Sequence, residues 1–270
     1  MLLQIISLLG LLSITYFPAY IWMYQRWSSA DSYYSHGFLI PLVVAYLIFV
    51  RRGEIRKAVV SSEISGLGIF IAGILIHLIS RWLQVGFISG FSLILVILGI
   101  SLYLWGKPVT RLMLFPFLFT GFMIPLPLVV IANLSLRLKL FATEASIRLI
   151  KKAGFQAIAR GSTVIMPHSS LTVGDPCSGL RSLISLLALG ALFAYFIKTT
   201  PLKKTLIFLS SIPIAIISNV LRISSMCAVA EIYGEKTALG IYHDISGVLL
   251  FAVAFILLLS VGRVLSGRRK

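Results

Sequence analysis

The chain has 270 residues, of which 59% are hydrophobic and 12% charged. A soluble globular domain carries roughly 25% charged residues, so with a mean hydropathy of +1.01 that class is excluded. The net charge of +16 would suit a polyanion, yet the basic residues sit in short clusters between apolar runs, as in cytoplasmic loops beside anionic lipid. Nucleic acid is therefore not expected as a partner, whereas membrane lipid is. Cys177 and Cys227 are the only cysteines, too few for a disulfide scaffold or a Cys-rich zinc site. No cofactor or metal is expected.

Several apolar runs approach the roughly 20 residues that cross a hydrocarbon core. Residues 2–23 have no basic segment before them and no small-residue cleavage site after them, so they read as a retained membrane helix. Further spans are predicted at 38–50, 64–80, 88–105, 112–131, 179–197, 205–226 and 245–264. The run 38–50 is short but extends back through 33–37. The run 112–131 holds Pro116, Pro125 and Pro127 and is expected to kink or end early. The expected fold is an all-α polytopic membrane protein, one integral-membrane domain over 1–270 with about eight transmembrane helices.

Arg51, Arg52, Arg56 and Lys57 follow the second span, Lys107 and Arg111 the fourth, and Lys198, Lys203 and Lys204 the sixth. Arg263, Arg268, Arg269 and Lys270 close the chain, while the intervening short loops hold only Arg26, Arg81 and Lys236. The positive-inside rule then gives an even number of spans with both termini cytoplasmic. An insert at about 132–177 falls outside; long loops translocate largely regardless of charge. Within it Leu134, Leu138, Phe141, Ala142, Ala145 and Leu149 recur at helical spacing, with Arg137, Glu144, Arg148 and Lys151 opposite. This predicts an amphipathic helix in the membrane surface. The runs 162–166 and 171–174, separated by Pro167-His168-Ser169-Ser170, predict a β-hairpin.

The hairpin leads to Asp175-Pro176-Cys177-Ser178-Gly179-Leu180-Arg181. Asp175 suits a helix N-cap and Pro176 the first helical position. Cys177 would then lie in the first turn, where the helix dipole, helped by Arg181, favours a thiolate. The other reading is a small buried apolar cysteine. Asn219 and Arg222 share a face near the outer end of the seventh span, and an arginine in an apolar span marks a functional site unless it snorkels to head groups. His243 and Asp244 precede the eighth span; Asp244 would orient the histidine or cap that helix. A cysteine, an arginine and a histidine at one depth suit nucleophilic acyl transfer, with the histidine as base then acid and the cation on the oxyanion. His77 reads as a packing residue within the third span, His168 as a solvated turn residue, and Trp27 and Asp31 as interfacial residues of the first outer loop.

Several stretches together resemble the exosortase branch of the exosortase/archaeosortase family. They are Tyr34-Ser35-His36-Gly37-Phe38-Leu39-Ile40-Pro41, Phe122-Met123-Ile124-Pro125-Leu126-Pro127 and Cys177-Ser178-Gly179-Leu180-Arg181-Ser182-Leu183. Ile212-Pro213-Ile214-Ala215-Ile216 with Asn219-Val220-Leu221-Arg222, and then His243-Asp244, complete the order. Asp175-Pro176 departs from the small or Ala/Glu-like residues of the family. The resemblance implies a cysteine transpeptidase of the bacterial inner membrane with its active site on the extracytoplasmic side. Its partners would be exported proteins ending in a sorting signal: a Pro-Glu-Pro-type motif, an apolar helix and a basic tail. Cys177 would be the nucleophile, Arg222 the stabiliser of the tetrahedral intermediate and His243 the general acid/base. Asp175, Arg181, Asn219, Asp244 and His36 are supporting or substrate-binding candidates, His36 without an assigned step; the acyl acceptor is not specified. Two other functions fit parts of the pattern: a thiol–disulfide oxidoreductase using Cys177 and Cys227, and a small-anion transporter centred on Arg222.

Overall fold

The structure is a computed structural model describing residues 2–29 and 32–267. Asp31, Arg268, Arg269 and Lys270, used in the reading above, lie outside the described residues. The described chain is mostly helical, and its contacts group it into two compact units, Met1–Pro127 and Leu128–Lys270. Among the described residues, four helices are long and apolar enough to cross a membrane, at Ile64–Trp82, Gly86–Met123, Pro201–Tyr233 and Ile241–Ser266; Ser35–Val50 and Leu180–Phe196 are shorter apolar helices.

The amino-terminal unit contains α1 (Leu2–Ser28), α2 (Ile40–Val50), the short α3 (Arg52–Lys57), α4 (Ile64–Trp82) and α5 (Gly86–Phe119). The fourth and fifth expected spans are two limbs of α5, parted at Gly106, whose φ of 79° and ψ of −176° are not helical. Helix α5 stops at Phe119 and a 3-10 turn, Thr120–Met123, follows, so the run 112–131 ends early, as expected from its prolines. Pro125 and Pro127 fall in the irregular connector, where no helical N–H is required of them. Helices α4 and α5 pack backbone to backbone. A Cβ on Gly66 would lie 2.3 Å from the Tyr103 nitrogen and one on Gly99 2.4 Å from that of Phe70. Small residues at such a crossing let van der Waals packing replace the hydrophobic drive that lipid removes.

Polar side chains inside this unit are paired. His77 is buried, with Nδ1 2.9 Å from Ser89 Oγ and Nε2 3.1 Å from the Thr15 carbonyl, and its ring lies 4.0 Å from that of Tyr16. Trp27 belongs to the end of α1 rather than to a loop; its Nε1 donates to the Met123 carbonyl at 2.8 Å. His36 Nε2 faces the Phe122 carbonyl at 3.2 Å, and Tyr34 Oη accepts from the Leu126 amide at 3.3 Å. The stretch around His36 and the stretch 122–127 are thus bound to each other.

The second unit starts with α6 (Leu128–Lys152), followed by β1 (Ile158–Arg160), β2 (Thr163–Ile165) and β3 (Ser170–Thr172). The expected hairpin is β2–β3, with Val164 opposite Leu171; β1 adds a third antiparallel strand, with Ala159 opposite Val164. Of the Leu134–Leu149 row of α6, Ala142 alone is buried. Ser135, Ala142, Thr143, Ser146, Ile147 and Ile150 are buried, while Leu134, Phe141 and Leu149 are exposed. Small residues admit α8 closely, and Ser146 Oγ donates to the Val220 carbonyl at 3.1 Å. Helices α7 (Leu180–Phe196), α8 (Pro201–Tyr233), the short α9 (Glu235–Leu239) and α10 (Ile241–Ser266) complete the unit. Val164, Met166, Leu171 and Val173 pack with Ile147, Ile150, Ile223, Met226 and both cysteines into one core. Burial of these apolar side chains anchors the sheet to α6 and α8.

Candidate active site

Asp175–Cys177 forms a 3-10 turn, and α7 begins only at Leu180, after Gly179. Cys177 therefore precedes the helix instead of lying in its first turn, and Asp175 does not cap α7. The chain must reverse at Gly179, whose φ is 81°. A Cβ there would also lie 2.7 Å from Asn219 Cγ. Both the left-handed conformation and the contact require glycine. The Asp175 carboxylate, largely exposed, accepts from Lys139 Nζ of α6 at 2.7 Å. Asn219 Nδ2 of α8 donates to the Cys177 carbonyl at 3.1 Å. Two helices thus hold the turn that carries the thiol, one by charge and one by a buried amide.

His243 and Asp244 lie inside the first turn of α10, which starts four residues earlier than expected, at Ile241. The Cys177 Sγ to His243 Nε2 distance is 3.1 Å. Arg222 Nη2 lies 3.2 Å from the same Nε2 and donates to the His243 carbonyl at 3.0 Å. A guanidinium can only donate, so Nε2 accepts and the ring is neutral with its proton on Nδ1. That nitrogen faces Asp244 Oδ1 at 3.2 Å, a contact between adjacent residues. Asp244 is 87% exposed in its side chain, so water screens the pair and it serves mainly to fix the tautomer. Arg222 sits eleven residues, about 16 Å, before the end of α8 at Tyr233, and it has partners within the protein. Its Nε donates to Ser246 Oγ at 3.4 Å, and that hydroxyl donates to the His243 carbonyl at 3.0 Å.

Burial raises the Cys177 thiol above its ordinary range, and the Arg222 guanidinium partly offsets this. The resting sulfur is then a thiol facing an imidazole lone pair, not the dipole-stabilised thiolate anticipated for a helix start. A thiol 3.1 Å from an accepting nitrogen is poised for deprotonation as it attacks.

The remaining candidates divide cleanly. Arg181 is in the first turn of α7 with its Nε buried and without a hydrogen bond. His36 belongs to the other unit, where its Nε2 meets the Phe122 carbonyl. Cys227 is fully buried and, like Cys177, a free thiol. His168 is exposed as expected but paired: Glu231 near the end of α8 binds its Nδ1 at 2.8 Å and the Ser169 hydroxyl at 2.9 Å. Ser246 and Glu231 were missed. Ser246 lies three residues from His243, one helical turn away, and that spacing was the available signal; Glu231 had none, because its partners are in a distant turn.

A model described as transmembrane exosortase (Exosortase_EpsH) matches residues 27–260. The chain belongs to the transmembrane exosortase family. No curated protein and no solved structure matches it. The exosortase match covers all of the residues assembled at the candidate site, from Cys177 to Ser246.

Proposed function

We propose that this exosortase is a cysteine transpeptidase that cleaves the carboxy-terminal sorting signal of exported proteins, a Pro-Glu-Pro-type motif followed by an apolar helix and a basic tail. The observation that carries this reading is the 3.1 Å approach of Cys177 Sγ to an accepting His243 Nε2. As Sγ attacks the scissile carbonyl carbon, its proton passes to Nε2. Protonated Nε2 can no longer accept from Arg222, so the Nη2 hydrogen turns to the developing oxyanion. Collapse expels the amine of the tail fragment, which takes the proton from His243, and leaves a thioester on Cys177. Attack on that thioester by an acceptor nucleophile, with His243 as base, releases the product and restores the thiol. Asp244 orients the imidazole, while Asn219 and Asp175 hold the turn.

The site opens on the extracytoplasmic side of the inner membrane, both termini are cytoplasmic, and the two limbs of α5 count as separate crossings among eight. The basic clusters after α2, after α7 and at the Gly106 break support this orientation. The exposed Leu134, Phe141 and Leu149 of α6 suit the outer membrane surface. A thiol–disulfide role needs Cys227, whereas the chemistry above does not.

The test is to express Cys177→Ala beside the parent and follow the size of a tailed precursor by immunoblot. Full-length precursor should accumulate in the variant and mature product in the parent; unchanged trimming rejects the mechanism. Cys227→Ser should trim normally, and failure there would favour the redox reading.

A further inference from the structure

An open cleft of about 520 Å³ lies beside the candidate site. Its lining includes Arg181, Ser182 and Ser185 of α7, Arg222 of α8, and His243 and Phe251 of α10. Arg222 is committed to His243 and Ser246. Arg181 is not so committed: its Nε is buried and unbonded. A buried charged donor without an acceptor loses its hydration with nothing in return. The one carboxylate on the lining, Asp244, is directed at His243 Nδ1. The cleft therefore holds two guanidinium groups against one carboxylate, and that carboxylate does not pair with Arg181.

Arg181 follows Cys177 by four residues across the Gly179 turn. An extended polypeptide advances about 3.3 Å per residue, so a side chain within a few residues of a carbonyl held at Sγ reaches the cleft. The planar guanidinium fork matches a carboxylate in two-point geometry. Ser182 and Ser185 offer hydroxyls, and Phe251 an apolar wall for the stem of the side chain.

We propose that Arg181 is a specificity residue whose guanidinium receives the carboxylate of an acidic side chain of the substrate polypeptide, close to the scissile bond. This rests on Cys177 being the nucleophile. A lipid head group has the same anionic chemistry and is the competing occupant.

The test uses two alkylating reagents of nearly equal size on the purified full chain, read at Cys177 by peptide mass spectrometry. In both reactions Sγ displaces iodide. Iodoacetate carries a carboxylate and iodoacetamide does not. The iodoacetate-to-iodoacetamide rate ratio at Cys177 should exceed that of glutathione by about fivefold or more, given two nearby cations in a partly desolvated cleft. Arg181→Gln should lower the ratio by about half or more, leaving the share due to Arg222, while changing the iodoacetamide rate less than about twofold; Arg181→Lys should retain most of the advantage. An unchanged ratio in Arg181→Gln, or equal slowing of both reagents, overturns the proposal. So does loss of the advantage in phosphatidylglycerol vesicles but not in phosphatidylcholine vesicles, which would place a lipid head group in the cleft. A Cys177 inert to both reagents instead rejects the nucleophile. In a second arm, changing the flanking acidic residue of a tailed precursor to its amide should slow trimming by the parent and cause no further slowing in Arg181→Gln.

Discussion

At the scale of single residues, the sulfur, imidazole and guanidinium compete for one lone pair. His243 Nε2 faces both Cys177 Sγ and Arg222 Nη2, and it accepts well from only one donor at a time. In the proposed mechanism this makes the site a relay: protonation of Nε2 frees Arg222 just as negative charge appears on the substrate. The electrostatics set the pH dependence. Burial raises the Cys177 pKa and Arg222 lowers it, so the thiolate fraction at neutral pH is below that of a free cysteine. Iodoacetamide labelling of Cys177 should rise with pH through a midpoint above that of free cysteine. Arg222→Ala removes the lowering influence, so the midpoint should move higher and labelling at neutral pH should slow. A midpoint that falls in the variant would contradict this assignment. His243→Gln should reduce trimming by about 10²–10⁴-fold, the usual contribution of a positioned acid/base, with the melting temperature nearly unchanged.

The elements place these groups through two anchors on α8. Asn219 holds the backbone of the Cys177 turn, and Glu231 holds the β2–β3 turn through the His168 amide, its ring and Ser169. The stretch between the anchors carries Arg222. One helix thereby fixes the thiol, the cation and the hairpin that leads to the thiol. Gly179→Ala should destabilise the chain by at least about 1 kcal/mol from the left-handed backbone alone. The Asn219 contact adds to this, because the new Cβ has to displace the amide. Reduced trimming together with a lower melting temperature would bear this out. Glu231→Ala should leave the helices intact but increase amide exchange and protease cutting at 166–170; unchanged protection there would show that the clasp contributes nothing.

At the scale of the whole molecule, the exosortase family match and the apolar helices make this a membrane protein; the proposed orientation rests on the basic clusters. The proposed topology is checked by single cysteines in a Cys177→Ala, Cys227→Ala background. A membrane-impermeant maleimide added to intact spheroplasts should label His168→Cys directly, and Lys57→Cys only after permeabilisation. The reverse pattern would put the candidate site in the cytoplasm.

Composition and spacing alone determined that the chain is helical and membrane-embedded, which runs are apolar, and which residue types could perform acyl transfer. Those properties are local: twenty apolar residues in lipid have to satisfy their own backbone as a helix. The family blocks, too, are contiguous strings readable in order. Tertiary structure decided what local preference leaves open. The Asp175-Pro176 pair reads as a helix start, but the Asn219 and Lys139 contacts keep Cys177 in a separate turn and delay α7 to Leu180. Which face of α6 meets the protein was likewise open, because lipid accepts Leu134 and Phe141 as readily as a core does, leaving close packing of Ser146 and Ala142 to choose the face. The approach of Cys177, Arg222 and His243 depends on three helices meeting, and no periodicity within one helix encodes the position of another.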